Sequence, residues 1–145
     1  PKTKIDRWAA EKTVTYLGHT DDVASYIRKA DCIVLPSYRE GMPLSLLEAA
    51  SMGKALIATD TPGCRAVVIP GINGYLCAIK DGGGLAEKMA EYYHLPPAAK
   101  EQMGREGRNM VLRKFTRDIV TTIYLEKIKA FRRKGDDIPR TGDDI

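Results

Sequence analysis

The sequence predicts an α/β domain built on a Rossmann-like, parallel, doubly wound sheet flanked by helices. Three observations predict it. Short apolar runs, Ile33-Val34-Leu35 and Leu56-Ile57-Ala58-Thr59, are separated by one helix length. Segments with apolar residues at helical spacing lie between and around them, and such alternation of strand and helix argues for parallel pairing. The boundaries carry matching signals: Asp31 and Pro36 bracket the first run, Pro43 and Gly53 bracket the helix after it, and Asn73-Gly74 opens a further strand.

Taken in order, residues 13–17 read as a strand and Gly18-His19-Thr20 as the loop that leaves it. Residues 21–30 read as a helix capped by Thr20, with Val23, Ala24 and Ile27 on its buried side. The strand at 33–35 leads into a helix whose first turn accepts Pro43, since its fixed φ fits and its missing N–H costs nothing there. Gly53 supplies the left-handed residue that ends that helix. Residues 56–59 form the next strand, 64–68 a short helical turn, and 75–78 a strand entered through Asn73-Gly74. Gly82-Gly83-Gly84 reads as a flexible lead-in to a helix with Leu85, Met89 and Tyr92 on one face, and His94 as a structural cap at its end. Pro96-Pro97 breaks that helix, and Pro97 fits the first turn of a helix over 98–114. Thr116 caps a last helix, in which Ile119, Ile123 and Ile128 recur at helical spacing. The Tyr92-Tyr93 and Tyr124/Phe131 pairs read as packing residues.

Composition confines the function classes. The 145 residues, 43% hydrophobic and 29% charged, suit one domain with a real core. No apolar run nears the ~20 residues that span a bilayer, and the start lacks the charged and apolar regions of a signal peptide. Cys32, Cys64 and Cys77 fit neither a zinc pattern nor a disulfide framework and read as reduced thiols, Cys32 as a small apolar strand residue. Reduced thiols suit a cytoplasmic location. Residues 1–99 carry 11 basic and 11 acidic side chains, whereas residues 100–134 carry 11 basic against 4 acidic. A basic helical region can touch anionic lipid or another domain, and peripheral contact with the inner face of the cell membrane is one expectation. No aromatic-interleaved motif accompanies the charge, which argues against nucleic acid as a partner. Residues 1–134 are expected to form one folded unit. Residues 135–145, where Gly-Asp-Asp-Ile occurs twice among Pro and charges, are expected to be a disordered tail.

The chemistry concentrates in Glu40-Gly41-Met42-Pro43-Leu44-Ser45-Leu46-Leu47-Glu48. Glu40 falls in the loop at the carboxyl end of a strand, and Glu48 inside the helix that follows. Ligands of open α/β sheets bind in the crevice outside the carboxyl ends of the strands. A helix start exposes unpaired N–H groups, here those of Met42, Leu44 and Ser45, and carries partial positive charge that suits phosphate. Carboxylates accept hydrogen bonds from vicinal hydroxyls, as acidic residues do with ribose. The pattern therefore suits a polyhydroxylated, anionic ligand gripped at both ends. Glu48 could equally be an ordinary surface acid of a helix, and Glu40 a loop acid stabilised by the dipole.

Leu35-Pro36-Ser37, Glu40-Gly41-Met42-Pro43, Glu48-Ala49, the strand Ala55-Leu56-Ile57-Ala58-Thr59-Asp60 and Gly71-Ile72-Asn73-Gly74-Tyr75-Leu76 follow one another in an order that resembles the retaining glycosyltransferases of the GT-B fold, family 4 (glycosyl transferases group 1). The resemblance runs over residues 14–115 and implies the C-terminal, donor-binding half of that fold. It implies that Glu40 contacts donor-sugar hydroxyls as the catalytic-centre acid. It implies that Gly41, Met42, Pro43, Leu44 and Ser45 bind sugar or phosphate, that Glu48 holds the ribose, and that Gly18, His19 and Thr20 lie near the nucleobase. The expected substrate is a nucleoside-diphosphate sugar, UDP-linked by preference, with no cofactor and no metal. The expected acceptor is a carbohydrate or lipid-linked sugar, in cell-surface polysaccharide or lipopolysaccharide synthesis.

The sequence departs from the family in two ways. It begins at Pro1 without the Gly-Arg-Leu and Lys-Gly elements that clamp the pyrophosphate and without an N-terminal acceptor domain, so this piece alone is expected to be inactive. Ala66 also stands where the family has Glu. The alternatives are a GT-B-type sugar-nucleotide epimerase, for which His19 is the one nearby histidine, and a non-enzymatic nucleotide- or protein-binding module.

Overall fold

A computed structural model describes residues 2–136. Three parallel strands, β1 (Cys32–Leu35), β2 (Ala55–Thr59) and β3 (Gly74–Cys77), lie in the spatial order β1-β2-β3. Cys32 stands opposite Ala55, and Leu56 opposite Gly74. The helices are α1 (Lys2–Ala10), α2 (Val23–Lys29), α3 (Leu44–Ser51), α4 (Pro62–Arg65), α5 (Gly82–Tyr93), α6 (Pro97–Lys114) and α7 (Arg117–Asp136).

Side chains alternate across a strand, so the central strand feeds two cores. All five β2 residues are buried. Leu56 and Ala58 join Leu46, Ala49, Ala50, Val67, Val68 and Met110 on the face covered by α3, α4 and α6. Ala55 and Ile57 join Tyr75, Tyr92 and Met103 on the face covered by α5. Helices on both faces of a parallel sheet give the doubly wound α/β arrangement that the alternation predicts.

α3 ends as expected. Gly53, at φ +72°, donates to the Ala50 carbonyl and Lys54 donates to that of Ala49, the paired bonds of a Schellman cap. α6 then crosses this cap with Gly104 against the Gly53 backbone, where a Cβ would fall 2.8 Å from the Gly53 carbonyl carbon. Arg108 Nη1 donates to the Ser51 carbonyl at 2.6 Å, placing a cation at the negative end of α3.

Several expectations are corrected. Residues 13–17 form no strand, because a strand needs a neighbour for its backbone groups and these residues are exposed with no ladder partner among the described residues. α1 was not anticipated from the pattern. α2 is capped by Asp22, whose carboxylate accepts from Ser25 N at 3.1 Å, because the Thr20 hydroxyl is occupied by Asp22 N. Only Ile27 of α2 is buried, whereas Val23 and Ala24 are exposed. Pro43 sits at the N-cap of α3 with extended backbone rather than inside its first turn. α4 begins at Pro62 because buried Thr61 accepts from Cys64 N, ahead of the turn expected at 64–68.

The triple glycine lies inside the first turn of α5, where the Asp81 carboxylate caps Gly84 N at 2.8 Å. Cys32 is half-buried in β1, while Cys64 and Cys77 are buried. Tyr93, Tyr124 and Phe131 are exposed rather than packed, and only Tyr92 of the two aromatic pairs is buried. α7 runs through Gly135 and Asp136, and residues 137–145 of the expected tail lie outside the described residues. Pro97 in the first turn of α6, Thr116 ahead of α7 and His94 at the end of α5 stand where the sequence puts them.

Candidate functional site

The loop between β1 and α3 leaves the sheet at the carboxyl ends of the strands, where open α/β sheets present ligands. Glu40 is half-buried in this loop, with Gly41 and Met42 exposed after it. Pro43 is buried and locks the chain into the helix. No side chain caps the start of α3, and the first amides to bond back, those of Leu46 and Leu47, both donate to the Pro43 carbonyl. The Leu44 and Ser45 N–H groups therefore stand ahead of the helical ladder, on residues that are themselves exposed. They form a donor pair with the dipole's positive end behind it.

Glu48 lies one turn further along α3, exposed, on the wall of a 440 Å³ cavity. Asp21, Asp22 and Ser51 line the same cavity with polar groups, and Ile27 and Met52 line it with apolar ones. The cap of α2 thus shares a cavity with the acid of α3. Asp22 N is held by the Thr20 hydroxyl at 3.0 Å, so the Gly18-His19-Thr20 loop is tied to the same wall. Gly18 takes a left-handed φ of +71°. A second, largely apolar cavity of 480 Å³ shares Val23 and Ile27 with the first and is lined by Leu17, Tyr26, Ile33 and Ser45. Ser45 and Glu48 therefore open on two adjoining hollows along α2, one apolar and one rimmed by carboxylates.

Glu40 lines neither hollow. Its loop is pinned from the other side, where Thr59 Oγ1 donates to the Ser37 carbonyl and buried Gly63 lies against the backbone of Glu40 and Gly41. The two acids are thus separate elements of the rim: Glu40 above β1 and α4, Glu48 beside α2. Beyond the Glu40 loop a third hollow of 270 Å³ opens at the strand ends, lined by Tyr38, Thr59 and Lys80, with the Lys80 ammonium 5.7 Å from the Tyr38 ring centre. That distance is within reach of a cation–π contact.

The sequence points to Glu40, the α3 start and Glu48 through local signals. It places Asp21 and Asp22 only at the start of a helix capped by Thr20, and no local signal marks Tyr38, Lys80 or Gly63 as neighbours of the site. Among the described residues, no three histidine, cysteine or acidic side chains converge closely enough to hold a metal ion.

The family described as glycosyl transferases group 1 matches residues 1–94 of the chain. The chain is 33% identical to EpsD of Bacillus subtilis (strain 168) over 112 residues, which is 77% of this chain and 29% of that protein. It is 38% identical over 77 residues to the N,N'-diacetylbacillosaminyl-diphospho-undecaprenol alpha-1,3-N-acetylgalactosaminyltransferase of Campylobacter jejuni, 53% of this chain and 20% of that one. Among solved structures, Anabaena HepE in complex with UDP superposes with a TM-score of 0.80 at 19% identity, covering 89% of this chain and 35% of that one. The chain therefore spans between 20% and 35% of the length of these proteins.

Proposed function

This chain belongs to the glycosyl transferases group 1 family, and from that premise we propose that it holds the nucleotide-sugar donor of a glycosyltransferase. Its fold is that of the C-terminal domain of GT-B glycosyltransferases. The reading is carried by one observation: an α3 start without a side-chain cap, preceded by Glu40 and followed by Glu48 on a cavity wall shared with residues 21 and 22. In this reading the Leu44 and Ser45 N–H groups meet the diphosphate, Glu48 accepts from the ribose hydroxyls, and Glu40 accepts from the sugar. The segment 18–20 borders the nucleobase, with the apolar hollow beside Leu17 receiving its ring.

The donor we propose is UDP-linked, a choice supported by the UDP complex of HepE. The acceptor we propose is a carbohydrate or a lipid-linked sugar at the cytoplasmic face of the membrane, in cell-surface polysaccharide synthesis. The diphospho-undecaprenol acceptor in the name of the Campylobacter relative supports it. We propose transfer with retention and without a metal. The charge that develops on the leaving diphosphate is met by the preorganised dipole of α3. Glu40 and Glu48 orient hydroxyls rather than serve as a glycosidase pair, because neither is placed to protonate a leaving oxygen across a shared cavity.

Calorimetric titration with UDP, UDP-sugars and GDP tests this on the chain and on Glu48→Ala. Saturable binding of UDP, weakened about tenfold or more in the variant, is the expected result, as for a lost charge-assisted hydrogen bond pair. Equal binding of UDP by both proteins would remove Glu48 from the ribose.

A further inference from the structure

We propose that Gly63 and Thr59 are positioning residues that set the height of the Glu40 loop above the sheet; the proposal rests on the donor-site reading of Glu40. Gly63 is buried in α4, and a Cβ there would fall 2.6 Å from the Glu40 carbonyl oxygen and nearer still to that of Gly41. Both distances are far inside contact distance, so any side chain at 63 must lift the 40–41 backbone or push α4 away. α4 has little room to retreat. Cys64 and Thr61 are fully or almost fully buried, Thr61 Oγ1 accepts from Cys64 N at 3.3 Å, and Arg65 is bridged to Asp60. The loop is the part that yields.

Thr59 holds the same loop three residues before Glu40. It is 3% exposed at the end of the central strand, and its hydroxyl donates to the Ser37 carbonyl. The loop is therefore seated on backbone contact at 40–41 and tied by a hydrogen bond at 37. Neither residue lines the two hollows beside α2, and Thr59 borders only the hollow beyond the Glu40 loop, so each acts through Glu40. A shift of the loop moves Glu40 and leaves Glu48, on the far side of α3, where it is. The consequence is a split between the two ends of the donor. Sugar recognition depends on Gly63 and Thr59, and nucleotide recognition does not.

The test compares the native protein with Gly63→Ala, Thr59→Val and Glu40→Gln by titration with UDP and with UDP-glucose, UDP-galactose and UDP-N-acetylglucosamine. The expected result is that affinity for the best UDP-sugar falls about tenfold in Gly63→Ala and severalfold in Thr59→Val, while affinity for UDP changes less than about twofold. Thr59→Val introduces no clash and decides the matter if Gly63→Ala fails to fold. Parallel loss of UDP and UDP-sugar affinity in Thr59→Val or folded Gly63→Ala, or no change in either ligand, overturns the proposal. A normal sugar preference in Glu40→Gln would instead overturn the donor-site reading beneath it, so the two failures are distinct.

Discussion

Asn73 shows how a single side chain fixes the loop that joins α4 to β3. The residue is fully buried between α4 and β3. Its Oδ1 accepts from Ile69 N at 2.6 Å and its Nδ2 donates to the Val67 carbonyl at 2.8 Å, so one amide closes the 67–73 loop. Its own carbonyl accepts from Leu56 N, which anchors that loop to the central strand. Asn73→Ala removes both side-chain bonds and leaves the buried Val67 carbonyl unpaired. The expected loss is about 2–3 kcal/mol of unfolding free energy, measured by urea denaturation. Asn73→Asp keeps an acceptor for Ile69 N but loses the donor and buries a charge, so it should be at least as destabilising. A loss below about 0.5 kcal/mol in Asn73→Ala would mean that the loop is held by its backbone alone. In the sequence the Asn73-Gly74 pair reads only as a turn signal, because the partners of a buried amide are tertiary facts.

At the scale of elements, α5 is docked on the sheet by Tyr92, which is 7% exposed and whose hydroxyl donates to the Asp31 carbonyl at 2.9 Å, just ahead of β1. Burial, with the neighbouring Cys32 thiolate and the Asp31 carboxylate adding to it, pushes the phenol from its ordinary 10.0 up to about 12. The unfolded chain would ionise this group first, so between those two values the native state binds more protons and stability falls as pH rises. Below about pH 10 the contribution of Tyr92 is complete, and it is lost by about pH 12. Urea midpoints at about pH 9 and about pH 11 should fall further in the native protein than in Tyr92→Phe, which lacks the ionisable group. An equal fall in the two proteins would place the alkaline loss elsewhere.

The elements themselves divide by how local their signals are. β1, α3 and its Schellman end were legible because Pro36, Pro43 and Gly53 act on their own backbone. The strand at 13–17 was misread for the complementary reason: its residues have strand propensity, but only a paired neighbour turns propensity into a strand. The candidate site divides in the same way. Glu40, the free amides of α3 and Glu48 follow from one contiguous stretch, whereas the cavity that Glu48 shares with Asp21 and Asp22 joins α3 to the segment ahead of α2 and has no local cue.

Across the whole molecule, cohesion falls off from the central strand outward. β2 pairs on both edges and all five of its residues are buried. α6, which carries buried Met103, Gly104, Gly107 and Met110, packs on the same sheet. At the margins, residues 13–19 are exposed throughout, and α7 shows Ile123, Tyr124, Ile128 and Phe131 to solvent, Phe131 at 80%. A helix draws most of its stability from a packed apolar face, so α7 has little to hold it shut. Amide exchange should follow this gradient, because opening free energies run from near zero at unpacked margins to the global value in the core. β2 amides should exchange at least about a thousandfold more slowly than those of residues 14–20 and of 120–131, a gap of about 4 kcal/mol. The loop at 37–41 should fall between them, seated on α4 and tied by Thr59 yet solvated at Gly41 and Met42. Exchange as slow in α7 as in β2 would show that its apolar face is covered in solution. Exchange as fast at 37–41 as at 14–20 would show that the loop carrying Glu40 is not seated at all. A donor site built on it would then have to order the loop on binding, at a cost in affinity.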